Sequence, residues 1–156
     1  MTLAPTADEL LACCASTAWA REVADRGPYP DLPALEAVAS DVWWSLPAAD
    51  WLEALAAHPR IGDRPPVGSQ ERAEQAAAAT APTDVLERIA GGNRAYEERF
   101  GMTYIVRAAG RTAEQLLVLL DARLHNHPDT ELGVAAAQQW EITQLRLRRR
   151  YGTMGA

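Results

Sequence analysis

The chain contains no lysine. All fifteen of its basic residues are arginine, so it cannot form an imine with a substrate carbonyl or with pyridoxal phosphate, nor carry biotin on a lysine. Cysteine is almost as scarce. The adjacent Cys13 and Cys14 are the only two among 156 residues, which excludes a disulfide framework and offers no zinc-ligand spacing; a reduced compartment is the expectation. There is no G-x-x-x-x-G-K-[ST] loop and no strand-bounded G-x-G-x-x-G. The one glycine pair, Gly91-Gly92, falls inside a helical pattern, so a nucleotide cofactor has no support. Positive charge is also short: a net charge of -6 argues against nucleic acid or an anionic membrane as partner. The N-terminus carries no charged-then-apolar leader, and no apolar run is long enough to span a bilayer. The expected location is therefore cytoplasmic.

What remains is helical. An apolar fraction of 48% in 156 residues supports a folded globule with a real core, expected as a single domain over residues 1–156. Residues 8–25 form an Ala/Leu-rich stripe through Leu10, Leu11, Cys14, Ala18 and Val23, broken by Gly27-Pro28-Tyr29-Pro30. Asp31 before Pro33 marks a helix start, followed by Leu35, Val38, Val42 and Leu46 on one face. Trp51, Leu52 and Leu55 belong to a third helix that ends at His58, and a loop over residues 62–69 contains Pro65-Pro66 and Gly68. A short alanine-rich helix over residues 71–80 bears Glu74. Thr83 is placed to cap a helix that stops near Gly101, with Val85, Ile89, Tyr96 and Phe100 on its apolar stripe. Asn93 lies on that same stripe, so its amide is either a structural brace or part of a site. Residues 103–106 are β-prone but have no strand to pair with; they read as an extended connector whose backbone could approach a ligand. Thr112-Ala113-Glu114-Gln115 has the form of a capping box opening a leucine-rich helix. The last helix is expected from Asp129, carrying Leu132, Ala136, Trp140, Leu145 and Leu147. With no repeats and no alternating strand series, the fold class is all-α, a bundle of about seven to eight helices.

Chemistry points to His58. Only three histidines are present, and His125 and His127 stand in a polar turn. Pro59 prevents the preceding helix from continuing, so His58 is held at a junction, where an imidazole can serve as acid or base near neutral pH. The same position also suits a simple helix cap.

Four segments then occur in order: His58-Pro59-Arg60-Ile61-Gly62; Glu74-Gln75; Asn93-Arg94-Ala95-Tyr96-Glu97-Glu98-Arg99-Phe100-Gly101; and Ile142-Thr143-Gln144-Leu145-Arg146-Leu147. Together they resemble the OHCU decarboxylase family over residues 12–151. The resemblance implies a cofactor-free and metal-free carboxy-lyase of urate breakdown. Its substrate, the small molecule 2-oxo-4-hydroxy-4-carboxy-5-ureidoimidazoline, loses CO2 to give (S)-allantoin. By that resemblance His58 and Glu74 are catalytic and Arg146 binds substrate. Pro59, Gln75, Ile105, Val106, Arg107, Ala108 and Ala109 match positions that line the family's pocket. From spacing alone, Glu74 reads as a solvated acid. Arg146 belongs to an arginine-rich helix end with Arg148, Arg149 and Arg150, and Arg60 reads as a surface or supporting residue. Trp43, Trp44 and the last helix are candidates for a homodimer face, a state consistent with the resemblance. One departure stands out: Glu71 occupies a position that is often serine in the family, and Ser69 is nearby but out of register. Two other readings compete, a non-catalytic helical module for an anionic metabolite or protein, and a hydrolase using His58 to activate water.

Overall fold

The computed structural model describes residues 2–63 and 68–152, so Pro65 and Pro66 lie outside the described residues. The architecture is all-α: among the described residues there are nine helical segments and no strand, beyond one isolated antiparallel pairing of Leu3 with Tyr29. None of these helices is long and apolar enough to cross a membrane. The chain groups into two compact units, one of Met1–Ala57 with Gln139–Ala156 and the other of His58–Gln138.

The first unit contains α1 (Ala7–Leu11), α2 (Thr17–Arg26), α3 (Leu32–Ser45), α4 (Ala48–Ala56) and the second half of α9 (Pro128–Tyr151). The continuous helix expected over residues 8–25 is two helices. Ser16 interrupts it, because its hydroxyl accepts from the Trp19 backbone N–H at 3.3 Å and starts a new helix. Asp31 caps α3 as expected, accepting from Ala34 N–H at 2.9 Å. Leu10, Trp19, Leu35, Trp43, Leu55 and Leu147 are fully buried in this unit. The Trp19 indole donates to the Ala39 carbonyl at 3.0 Å, satisfying its one polar atom. Trp43 is therefore core, and Trp44, 44% exposed, is the member of that pair left on the surface.

The second unit contains α5 (Gln70–Glu74), α6 (Ala76–Ala79), α7 (Thr83–Phe100), α8 (Ala113–Arg123) and the start of α9. The single helix expected over residues 71–80 is split at Gln75, whose side chain is turned to backbone elsewhere in the unit. Thr83 does not cap α7. Pro82 is the boundary residue, offering no side-chain acceptor, and Thr83 is the first helical residue. Of the α7 stripe, Val85, Ile89, Asn93 and Tyr96 are buried as expected, and Phe100 is half-buried at its end. Gly92 lets α8 come close: a Cβ there would stand 2.5 Å from Leu120 Cδ2. The capping box at α8 is present, with Thr112 and Gln115 exchanging bonds of 2.8 and 3.1 Å.

The last helix differs most from expectation. It starts at Pro128, not Asp129, a favourable first helical position for proline. Leu132, Trp140 and Leu145 are only half-buried, whereas Glu131, Ala135, Gln139, Thr143, Arg146 and Leu147 are buried. Ala136, as expected, is buried too, with Ile142 and Tyr151, so the inward stripe is mixed, polar residues alternating with apolar ones. Such a stripe is tolerated where partners exist: Gln139 donates to the Thr143 hydroxyl at 2.9 Å, and that hydroxyl donates to the Gln139 carbonyl at 2.8 Å.

Candidate active site

α4 ends at Ala56, and His58 and Pro59 follow two and three residues later, both half-buried. Beyond them the chain makes a tight turn through Arg60, Ile61 and Gly62. Gly62 has φ of 95°, a conformation open to glycine and strained for other residues. Three successive backbone groups of this turn are gripped by side-chain amides. Gln75 Nε2 donates to the Arg60 carbonyl at 3.4 Å and Gln75 Oε1 accepts from Gly62 N–H at 3.1 Å. Asn93 Nδ2 donates to the Ile61 carbonyl at 3.0 Å. The Asn93 side chain is therefore a brace on the His58 segment, while its Oδ1 is buried with no hydrogen-bond partner among the described residues. The Arg60 guanidinium is exposed and grips Glu97 of α7 in a forked pair at 2.6 and 3.2 Å. That hydrogen-bonded carboxylate raises the arginine's pKa further, and its place on the surface agrees with a supporting role.

Glu74, half-buried, is the last residue of α5, immediately before Gln75. Ser69 caps α5, accepting from Arg72 N–H at 3.1 Å, so its hydroxyl is engaged in starting the helix that carries Glu74. One apolar cluster ties these pieces together: it contains Ile61 from the turn, Ala78 from α6, Val106 and Ala108 from the connector, and Ile89 and Tyr96 from α7. The His58 turn, the Glu74–Gln75 corner and the connector are therefore built on the same core.

Residues 103–108 form the connector: they belong to no helix and pair with no strand among the described residues, and they contain the 103–106 segment expected to lack a pairing partner. Ile105, Val106 and Ala108 are buried, while Arg107 and Ala109 are half-buried. Its backbone is pinned twice. Arg123 Nη1 donates to the Ile105 carbonyl at 2.6 Å, and Arg107 N–H donates to Gln138 Oε1 at 2.9 Å. Arg123 is itself buried against Glu131, with Nη2 to Oε2 at 2.6 Å, and Glu131 also accepts from Asn126 and from the Tyr96 hydroxyl. Burial alone would lower the arginine's pKa, but the hydrogen bond and charge of Glu131 outweigh it, so the guanidinium is held charged. The same guanidinium lies 4.8 Å from the Tyr104 ring centroid. Burial pushes the Tyr104 phenol up to about 12, and its hydroxyl donates to the Leu116 carbonyl at 3.1 Å.

Arg146 belongs to the other unit. It is 7% exposed on α9, whereas Arg148, Arg149 and Arg150 are exposed. The inward arginine of that crowded run is thus the one that the family resemblance selects. Among the described residues no group of three or more His, Cys, Asp or Glu side chains gathers as a metal site requires. Cys13 and Cys14 are buried, and burial raises both thiols, that of Cys14 to about 12.

Sequence reasoning passed over Arg123 and Glu131, although a signal existed. Arg123 continues the Leu116–Leu120 face of α8, and a charged residue on an apolar face requires a buried partner.

Comparisons with known proteins agree on one family. A family model described as OHCU decarboxylase matches residues 1–148. The chain is 36% identical over 148 residues to the uric acid degradation bifunctional protein TTL of Arabidopsis thaliana, covering 90% of this chain and 45% of that protein. It is 26% identical over 107 residues to the 2-oxo-4-hydroxy-4-carboxy-5-ureidoimidazoline decarboxylase of Haloferax volcanii, covering 65% of this chain and 62% of that one. The chain therefore spans less than two thirds of either protein. Among solved structures, an OHCU decarboxylase crystallised in the presence of (S)-allantoin matches with a TM-score of 0.84 at 34% identity, covering 93% of this chain and 98% of that one. An (S)-allantoin synthase at 20% identity and a TM-score of 0.68, covering 94% of this chain and 54% of that one, shares the fold.

Proposed function

The chain belongs to the OHCU decarboxylase family, and from that premise we propose that it decarboxylates 2-oxo-4-hydroxy-4-carboxy-5-ureidoimidazoline to (S)-allantoin in urate breakdown, working as one domain over residues 1–156. The observation that carries the reading is the shared core of the second unit. There the turn following His58 and the corner bearing Glu74 are joined through Gln75 and through the apolar cluster containing Ile61 and Ala78.

The chemistry follows from the substrate. Breaking the bond to the carboxylate releases CO2 and leaves an electron pair on the ring carbon. The substrate's own carbonyl and C=N groups can delocalise that pair, so neither an imine-forming lysine nor a metal is needed. A proton must then reach that carbon from one face. His58 is the proton donor in this reading, giving one ring proton to that carbon as the C–CO2 bond breaks; positioned acid catalysis of this kind is typically worth ~10²–10⁴-fold. Glu74 stands across the substrate, accepting from its hydroxyl or ureido N–H groups. Arg146 is assigned to the substrate by the family match, and its guanidinium fork suits a planar carboxylate or ureido group. Pro59, Ile105, Val106, Arg107, Ala108 and Ala109 are assigned to the pocket wall. The buried Ile105, Val106 and Ala108 make the backbone and Arg107 the polar contributors there. A homodimer and a cytoplasmic location belong to the same reading.

The test uses freshly generated substrate, with CO2 trapped and allantoin followed by circular dichroism. The expected result is gas release together with the (S) enantiomer, both faster than in the blank. Progress equal to the blank overturns the decarboxylase reading. Substrate loss without gas favours water activation by His58.

A further inference from the structure

The connector is held at three places within four residues. It belongs to no helix, so the carbonyl of the buried Ile105 has no helical ladder to serve and must find a donor elsewhere. Arg123 supplies one at 2.6 Å. The same guanidinium spans Glu131, through Nε at 3.0 and 2.9 Å and through Nη2 at 2.6 Å. Two residues beyond Ile105, the Arg107 N–H donates to Gln138 at 2.9 Å, and the Ala108 carbonyl then accepts from the Arg111 N–H at 3.1 Å. The held stretch falls within residues 105–109, the wall positions assigned above.

Stability alone does not account for the charge pair. A buried ion pair is commonly no more stabilising than well-packed apolar residues of the same size. What Arg123 adds beyond an apolar side chain is a directed donor for one carbonyl. The side chains of Ile105, Val106 and Ala108 are buried, so a substrate at this wall meets backbone, and the placement of that backbone sets the fit. We propose that Arg123 is a positioning residue for substrate binding: with Glu131 as its counter-charge it fixes the Ile105 carbonyl, and through it the backbone wall of residues 105–109, in the register that binds the ureidoimidazoline. The proposal rests on the assignment of that wall in the decarboxylase reading. A wall that holds substrate and transition state alike governs KM more than kcat, and a misplacement of about 1 Å can cost ~10²-fold.

Two variants test it. The double change Arg123→Met with Glu131→Leu removes donor and counter-charge together, leaves no buried charge uncompensated and is expected to fold. Arg123→Lys keeps a positive charge beside Glu131, but a single ammonium lacks the planar fork that serves Glu131 and Ile105 at once. In both, kcat/KM should fall by ~10–100-fold, chiefly through a higher KM. Amide hydrogen exchange at Arg107, measured without substrate, should quicken in the double variant relative to the amides of α7. Parental KM in either folded variant overturns the proposal, because a pair that served stability alone would leave binding untouched. A raised KM with parental exchange at Arg107 overturns it too, being the mark of direct contact between Arg123 and substrate. If the double variant fails to fold, Arg123→Lys decides by the same criteria. Failure of the underlying reading looks different: the parent chain itself would then turn over substrate no faster than the blank.

Discussion

Two irregular segments of the second unit are held in place by opposite chemistry. The turn after His58 is gripped by neutral amides, Gln75 and Asn93. The connector is held at Ile105 by a buried arginine whose charge is balanced by Glu131. An amide lost from the first leaves a carbonyl or N–H short of one partner, a modest penalty. A charge lost from the second leaves its partner buried and uncompensated, which is far more costly. The turn is thus held at small energetic risk, and the connector by a charge that cannot be lost singly without a large cost.

The sharpest way to break that contrast is Glu131→Gln. It keeps shape but strands Arg123, and it should destabilise the fold by about 3–5 kcal/mol in urea unfolding. Replacing both partners by Arg123→Met and Glu131→Leu should recover most of the loss, because the uncompensated charge goes too. A small effect of the single change would show that the connector is not locked by charge.

Alkaline pH acts on the connector alone among the two segments. Tyr104 has its pKa raised by burial from 10.0 to about 12. The folded state holds this proton more tightly than the unfolded chain does. Its contribution is therefore complete below pH 10 and is lost as pH rises toward 12, at up to ~1.4 kcal/mol per pH unit. Cys14, raised by burial from 9.0 to about 12, adds a loss of the same sign from pH 9 upward. Melting temperatures between pH 9 and 12 should fall, and less steeply in Tyr104→Phe. An unchanged slope in that variant would remove Tyr104 from the account.

The smallest effect is expected at Arg60→Gln. This arginine also ties the His58 turn to α7, through Glu97, but the pair is exposed and screened. The melting temperature should not move measurably, and added salt should change it as little in the parent as in the variant. A clear loss would mean that the surface strap, and not the buried amides, holds the turn.

The sequence made the helices legible because apolar spacing, Asp31 and the Thr112–Gln115 box are local signals. It also located Asn93, because a polar residue on an apolar stripe is conspicuous. The break at Ser16 was hidden inside an alanine-rich run that favours helix on composition alone. The inward face of α9 was misjudged in part: Ala136 and Leu147 are buried as expected, but Leu132, Trp140 and Leu145 are only half-buried, and the polar Gln139, Thr143 and Arg146 share the face with Glu131, which pairs with Arg123. Such pairing depends on contacts remote in sequence, Arg123 with Ile105 among them, and periodicity does not encode it. The grip of Gln75 on the turn was invisible for the same reason. Residue type and family match marked the position, but only the fold shows both ends of its amide engaged with Arg60 and Gly62.

The most direct measurement is the initial rate of (S)-allantoin formation, by circular dichroism, for His58→Asn beside the parent chain, with helical content checked on the same samples. A rate at the level of the blank, with helicity intact, is what a single imidazole delivering the proton requires. A rate near that of the parent would contradict it and move the proton donor elsewhere.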